Sequence, residues 1–384
     1  MKKYGLRELI NDIHLWLGLA SGIILFLVCL SGTLLVFEHE IKDLFKEDFT
    51  VAVSTADKMS VETLAEKLKG EGQINGITIP AEADAPYLFS IKTDPKQRRG
   101  STFFVDPYTG RFQKELKSSL DGFFMAMFRL HRWLLLDMEV GRPIVGIATL
   151  IFLVLSISGL VLWFPKKLRW KHIKTGFKIK FSANWKRVNH DLHNTLGFYA
   201  CIFLVVMSLT GLCWSFQWYR DAGSAVLGAK IFGNRGGGPK MESGLEEGAK
   251  VLSVAEILGV VNKELPYTGA ISLSLPKTKK GVYTVSKNDA SGFSPVITDK
   301  LVLDQDGTVL KKEIFSEKPL NVRIAALIKP LHMGDIYGTF SKILYFLACL
   351  IATSLPITGT LIWWNKLQKK RKRNKGKAPR LERA

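Results

Sequence analysis

The chain has 384 residues, a net charge of +20 and 47% hydrophobic residues. Its apolar residues gather into four long runs and most of its net positive charge into two short stretches, which excludes an ordinary soluble globular domain. The cysteines Cys29, Cys201, Cys213 and Cys349 all lie inside the apolar runs without CxxC spacing, so they are expected as small packing residues and not as a disulfide framework.

The first run covers residues 13–37 and, like the other three, contains no Asp, Glu, Lys or Arg. About 20 apolar residues cross a bilayer. The run is too long for a signal peptide, and Phe37-Glu38-His39-Glu40 offers no small-residue cleavage site, so it is expected to stay as an anchor. His14 opens it, followed by Gly18 and Ser31-Gly32. The loop 38–128 then reads as a small helix-plus-antiparallel-sheet domain. Ser60-Val61 precedes the alternating Ile77-Thr78-Ile79-Pro80, a second strand is predicted over 87–91, and Phe103-Phe104-Val105 runs into the turn Asp106-Pro107-Tyr108-Thr109-Gly110.

His131 stands ahead of the second run, 143–164, which carries Ser158-Gly159. Residues 165–190 follow with nine Lys/Arg and no acid. The third run, 192–218, opens with Asp191-Leu192-His193 and carries Gly197 and Thr210-Gly211. The second loop, 219–328, repeats the signals of the first: Ser253-Val254, the strand Ile271-Ser272-Leu273-Ser274-Leu275-Pro276, a strand over 282–286, and Leu301-Val302-Leu303 into Asp304-Gln305-Asp306-Gly307. Arg235-Gly236-Gly237-Gly238-Pro239 falls in an insertion and is expected as a mobile loop. His332 precedes the fourth run, 343–364, with Thr358-Gly359, and the tail 365–384 carries ten Lys/Arg and one acid. The two basic stretches, with Lys2, Lys3 and Arg7, flank the ends of the runs. The positive-inside rule therefore puts both termini in the cytoplasm and both loops outside it. The charge is explained by topology and by attraction to an anionic lipid bilayer, and needs no nucleic acid.

The chain is thus one unit written twice: span, loop domain, span. The expected fold is an α-helical membrane protein with four transmembrane helices and α+β extracytoplasmic domains. A tandem duplication of this kind is related by a pseudo-twofold along the membrane normal. The expected divisions are 1–37, 38–128, 129–164, 165–190, 191–218, 219–328, 329–364 and 365–384.

The twofold pairs His14 with His193 near one face and His131 with His332 near the other. Ionisable residues at membrane depth are costly, and imidazole is a common haem-iron ligand. The four histidines are therefore candidate axial ligands of two haems, on the order of 15–20 Å apart along the normal of a core about 30 Å thick. The Ser/Thr-Gly pairs of one helix pair lie level with the histidines of the other. They leave room for a flat macrocycle, or serve ordinary small-residue helix packing. Zinc is disfavoured, because each level offers two histidines and no adjacent Cys or carboxylate set. His39 and His172 are expected at the surface. His190 could replace or assist His193, although the first copy has Asn11 at that position. Arg129, Arg132 and Lys329 are candidates for haem propionates or for snorkelling to the interface. Trp16, Trp163, Trp214, Trp363 and Trp364 suit an aromatic belt. No GxGxxG or GxxxxGK[ST] motif occurs, so the electron donor is expected to be external.

The elements Asp12-Ile13-His14 through Ser31-Gly32, Leu130-His131-Arg132 through Ser158-Gly159-Leu160-Val161-Leu162-Trp163, Asp191-Leu192-His193 through Thr210-Gly211, and Leu331-His332-Met333-Gly334 through Thr358-Gly359 resemble the PepSY-associated transmembrane family. The resemblance covers roughly residues 8–366, and the loop strands ending in Asp-rich turns look like PepSY domains. Members similar to this chain include di-haem inner-membrane siderophore reductases. The resemblance implies two haem b, a bacterial inner-membrane location with two periplasmic domains, and an unidentified cytoplasmic or membrane electron donor. The implied substrate is a ferric siderophore or other ferric chelate reduced in the periplasm. The other reading is a non-redox membrane protein whose PepSY domains bind or restrain a periplasmic peptidase. Arg98, Arg99, Trp218, Tyr219 and Arg220 are candidate contacts for an anionic or aromatic siderophore.

Overall fold

The computed structural model describes residues 4–45, 49–51, 57–94, 100–116, 118–233, 241–246 and 248–375. Lys2, Lys3, Arg98, Arg99 and the run from Arg235 to Pro239 lie outside these residues. In chain order the main elements are helix α1 (Leu6–Leu35), helix α2 (Val61–Lys67) and strands β1 (Gln73–Ile79), β2 (Tyr87–Lys92), β3 (Ser101–Val105) and β4 (Phe112–Lys114). Helix α3 (Asp121–Trp133) and helix α4 (Met138–Trp163) close the first copy. The second copy comprises α5 (Trp185–Ser215), α6 (Gln217–Leu227), α7 (Val254–Glu264), β5 (Ile271–Ser274), β6 (Tyr283–Lys287), β7 (Asp299–Leu303), β8 (Val309–Glu313), α8 (Leu320–Met333) and α9 (Gly338–Lys375).

Among the described residues, four helices, α1, α4, α5 and α9, are long and apolar enough to cross a membrane. Their outward residues are apolar and uncovered: Ile23 is 79% exposed and Ile202 65%. A soluble protein would bury such side chains, whereas lipid tails solvate them. The helices follow one another around a ring, α1–α4–α5–α9, which sets α1 opposite α5 and α4 opposite α9. All four helices begin before the apolar runs read in the sequence, and their ends differ as well. α1 ends at Leu35, α9 runs on through the basic residues to Lys375, and α5 stops at Ser215. Phe216 is extended (φ −123°, ψ 128°), and Trp218 belongs to the separate helix α6. Helix ends follow backbone geometry at such a break, which apolar composition alone does not reveal.

The loop signals fold as expected, with one addition. The two Ser-Val pairs are helix N-termini. Ser60 accepts from Thr63 N at 3.2 Å, and Ser253 forms a full capping box with Glu256. Leu64 of α2 is buried against Phe89, Ile91 and Phe103 of the sheet, and Ile257 and Val261 of α7 against Val285 and Leu301. The two strand sets, however, form one antiparallel sheet in the order β4-β3-β2-β1-β5-β6-β7-β8. β1 and β5 would each be an open edge within their own copy, and pairing them satisfies both. Ile77 lies opposite Leu273, and the Thr78 and Ser272 hydroxyls meet at 2.9 Å. The two glycines of the loop repeat have a steric cause. A Cβ on Gly76 would lie 2.9 Å from the Leu273 carbonyl oxygen, and one on Gly269 would meet the Asn288 carbonyl.

Both Asp-to-Gly turns are present, with Gly110 at φ +70° and Gly307 at φ +86°. Buried Asp106 accepts from Tyr108 N and Thr109 Oγ1, both at 2.8 Å. Burial alone would raise the Asp106 carboxyl, yet these donors and Arg111 hold it below its ordinary range. Asp106→Ala is therefore expected to cost about 1–3 kcal/mol by stranding those donors, read as a lower unfolding midpoint. The bonded form is the carboxylate. Its contribution is thus complete above an unfolded pKa of about 3.9 and fades as pH falls through the depressed native value. A midpoint deficit of the variant that did not shrink on acidification would contradict this.

Candidate functional site

All four predicted histidines point into the ring, and the structure brings them together in the two expected pairs. His14 on α1 and His193 on α5 face each other with ring centroids 6.4 Å apart and planes at 89°. His131 on α3 and His332 on α8 are 6.3 Å apart with planes at 53°. The helices α3 and α8 end immediately after their histidines in left-handed residues, Leu134 (φ 56°) and Gly334 (φ 75°), which turn the chain into the next span. Leu135 is also left-handed at φ 60°. Two successive non-glycine residues in this region store local strain, here beside a candidate ligand.

Each imidazole is anchored by Nδ1. His131 Nδ1 bonds the Val28 carbonyl at 2.8 Å, and His332 Nδ1 bonds the Met207 carbonyl at 3.1 Å. Val28 and Met207 are equivalent in the duplication, 179 residues apart, the same offset as His14 and His193. A carbonyl only accepts, so these contacts put the proton on Nδ1 and leave Nε2 as a lone pair. At the other end His14 Nδ1 lies 2.9 Å from Ser158 Oγ, and His193 Nδ1 lies 2.9 Å from Thr358 Oγ1. Those hydroxyls donate to their own helix, to Leu155 O at 3.2 Å and to Ser354 O at 3.0 Å, so they accept from the imidazoles. Among the described residues no hydrogen bond reaches Nε2 of any of the four.

This geometry corrects the role expected for the Ser/Thr-Gly pairs. Their glycines face imidazoles. An added Cβ would lie 3.0 Å from His131 Cε1 at Gly32, 3.3 Å from His14 at Gly159, 3.0 Å from His332 at Gly211 and 3.1 Å from His193 at Gly359. Each pair therefore works as a seat: the glycine admits the ring and, in three of the four, the hydroxyl bonds Nδ1. In the fourth, Ser31 bonds its own helix at Leu27 O, and the carbonyl of Val28 alone holds His131.

A cavity of about 570 Å³ lies between His14 and His193, within the size range of cofactor pockets. Gly18 and Gly197, one turn beyond the two histidines, line it together with Phe152, Leu155, Leu204 and Leu355. Arg7, Lys166 and Lys366 stand at its basic end. Arg7 donates to the Leu162 and Phe164 carbonyls at 2.7 Å each, and Lys166 pairs with Glu8 at 3.1 Å. The residues fit a bis-imidazole metal group. Two metal–nitrogen bonds of about 2.0 Å, with about 1.1 Å from each nitrogen to its ring centre, place ring centres about 6.2–6.4 Å apart. The spacings of 6.4 Å and 6.3 Å agree with this. Along α1 the two levels, at His14 and Val28, are about 21 Å of helix apart.

Several subsidiary candidates land elsewhere. His39 and His172 are exposed, as expected. His190 is exposed and lines the mouth of the cavity, 3.6 Å from Asp191, while His193 faces His14. Arg129 and Lys329 are exposed, and Arg132 lies over the Phe128 and Trp133 rings. Trp218 is 60% exposed, whereas Tyr219 packs into an apolar cluster with Cys213, Ile231 and Ala325. Arg220 approaches Asp221 at 4.0 Å.

Sequence reasoning missed four other residues. The Trp214 ring lies 5.1 Å from the His332 ring and 4.5 Å from that of Phe232, tilted against both, where its place near a span end suggested only an interfacial belt. Arg142 and Arg323 each bury an Nε that has no partner among the described residues. Asp335, three residues past His332, is raised above its ordinary range by burial and keeps Oδ1 unpartnered. No spacing rule marks these three. His193 also sits in a π-turn, Leu192–Leu196, that α1 lacks around His14; such turns recur at functional positions.

No curated protein matches the chain. The model of the PepSY-associated TM region matches residues 12–366 and spans both histidine pairs, the shared sheet and all four membrane helices, so the chain belongs to that family.

Proposed function

We propose that this protein is a di-haem transmembrane oxidoreductase that carries electrons across the bacterial inner membrane and reduces a ferric chelate, most simply a ferric siderophore, in the periplasm. The observation that carries the reading is the paired imidazole spacing, 6.4 Å and 6.3 Å, with every Nδ1 hydrogen-bonded and no described hydrogen bond to any Nε2. His14 and His193 would hold one haem b at the cytoplasmic, basic end, and His131 and His332 would hold the other at the periplasmic, sheet end. Bound haem supplies one-electron chemistry. A haem held by two histidines would supply electron transfer and not oxygen or chelate binding at its iron. The Nδ1 contacts fix ring orientation and raise imidazole basicity, as outer partners of metal-bound histidine do elsewhere. The substrate gains one electron, Fe³⁺ to Fe²⁺, and the softer, less charged ion leaves a hard-oxygen chelate more readily. An external cytoplasmic or membrane reductant supplies that electron.

The test is the absorption spectrum of protein expressed with ample haem. A six-coordinate b-type spectrum with two haems per chain is expected, and protein reduced anaerobically should be reoxidised by ferric chelates. Folded protein without a Soret band would sink the proposal and leave the peptidase-binding reading standing.

A further inference from the structure

The basic end of the bundle carries a second cleft of about 340 Å³, between the start of α5 and the last turns of α9. Lys186 and His190 line it from α5, and Asn365, Lys366, Gln368 and Lys369 line it from α9. The spacings of four and three residues put each set on one helix face. Among the described residues no carboxylate pairs with Lys186, Lys366 or Lys369. Cations close by are paired: Lys166 with Glu8 at 3.1 Å and Arg187 with Asp191 at 2.8 Å. The polar lining is therefore ammonium, imidazole and carboxamide, with no acid, above the apolar side chain of Ile362. Topology explains why lysines are abundant at this end of the bundle. It does not explain why unpaired ones from two helices converge on one concavity. Like charges so placed repel, and the arrangement is relieved by a polyvalent anion that accepts several charge-assisted hydrogen bonds.

We infer that this cleft binds a phosphate-bearing anion, either the headgroup of an anionic phospholipid or a soluble diphosphate. His190 and Lys366 also line the His14/His193 cavity, so the bound anion lies against that cavity's mouth. The inference does not depend on haem.

Two binding arms test it on the full chain. Pyrophosphate is titrated calorimetrically into protein in phosphatidylcholine nanodiscs. Retained phosphatidylglycerol is counted by native mass spectrometry in detergent. Each arm compares wild type, Lys186→Gln/Lys369→Gln, and the control Lys171→Gln/Lys174→Gln. The control makes the same charge change in the basic loop away from the cleft. The cleft variant is expected to weaken binding about ten-fold or more, and the control is not. A response in the pyrophosphate arm identifies a soluble anion, a response only in the lipid arm identifies a headgroup, and either supports the site. Equal losses in both variants, or no binding in either arm, overturn it. All three proteins are compared by size exclusion and melting, and substitutions at these exposed positions should leave both unchanged.

Discussion

His131→Ala and His332→Ala should each lower the haem content from two per chain to one, with the haem at the basic end retained. The two pairs share no ligand. The sheet-end pair is held by Val28 and Met207 carbonyls, and the basic-end pair by Ser158 and Thr358 hydroxyls. Along α1 the levels are separated by about 21 Å of helix, too far for one imidazole to substitute for another. On the proposed assignment, loss of one histidine would leave the haem held by a single imidazole, and metal affinity falls steeply when a ligand is removed. His14→Ala and His193→Ala should give the mirror result. Electron delivery to ferric chelates should fall to background in all four variants, because transfer across the membrane needs both levels. The measurement is pyridine haemochrome quantification with redox titration of the surviving centre. If every single variant lost both haems while remaining folded, the sites would not be separate.

The parts of this arrangement that were readable in the sequence are those governed by periodic or additive physics. Four charge-free runs mark the spans because lipid leaves a polar backbone no alternative to helix. The equal His14–Gly32 and His193–Gly211 spacings imply a twofold, and the twofold pairs the histidines before any coordinates are known. Steric contact between distant segments was not readable. The sequence shows that Gly32 and Gly211 are small, but what occupies the space beside them depends on α3 and α8 folding back over the bundle. A macrocycle and an imidazole are equally good guesses until that is known. The joining of β1 to β5 was hidden for the same reason. Alternation marks a strand and its buried face, and says nothing of which edge a strand 194 residues away will take, as Ser272 does beside Thr78. Arg142, Arg323 and Asp335 carry no pattern at all, and Trp214 carries only that of an interfacial belt. Their interest arises from unpaired polar atoms or ring contacts that only three-dimensional packing reveals.

Gly32→Val and Gly211→Val should remove the sheet-end haem as completely as loss of its histidines, although neither glycine can bind a metal. A Cβ at either position would stand 3.0 Å from an imidazole carbon, closer than the roughly 3.5–4.0 Å at which carbon atoms pack. The imidazole cannot retreat freely, because its Nδ1 is tied to the Val28 or Met207 carbonyl on the same helix as the glycine. Alanine needs a displacement of a few tenths of an ångström. Gly32→Ala should therefore keep the haem while shifting its electron paramagnetic resonance and potential. Valine adds two branches to that Cβ, and both cannot avoid the ring. Helix propensity argues the other way, since replacing an interior glycine by alanine favours a helix by about 1 kcal/mol. Any loss of haem must then come from the contact and not from an unfolded span. Gly22 provides the internal control on α1. A Cβ there meets only Pro356 Cβ at 3.7 Å, an ordinary packing distance, so Gly22→Ala should leave both haems and their spectra unchanged. A Gly32→Val protein with two haems and unaltered spectra would show that the glycine does not seat His131.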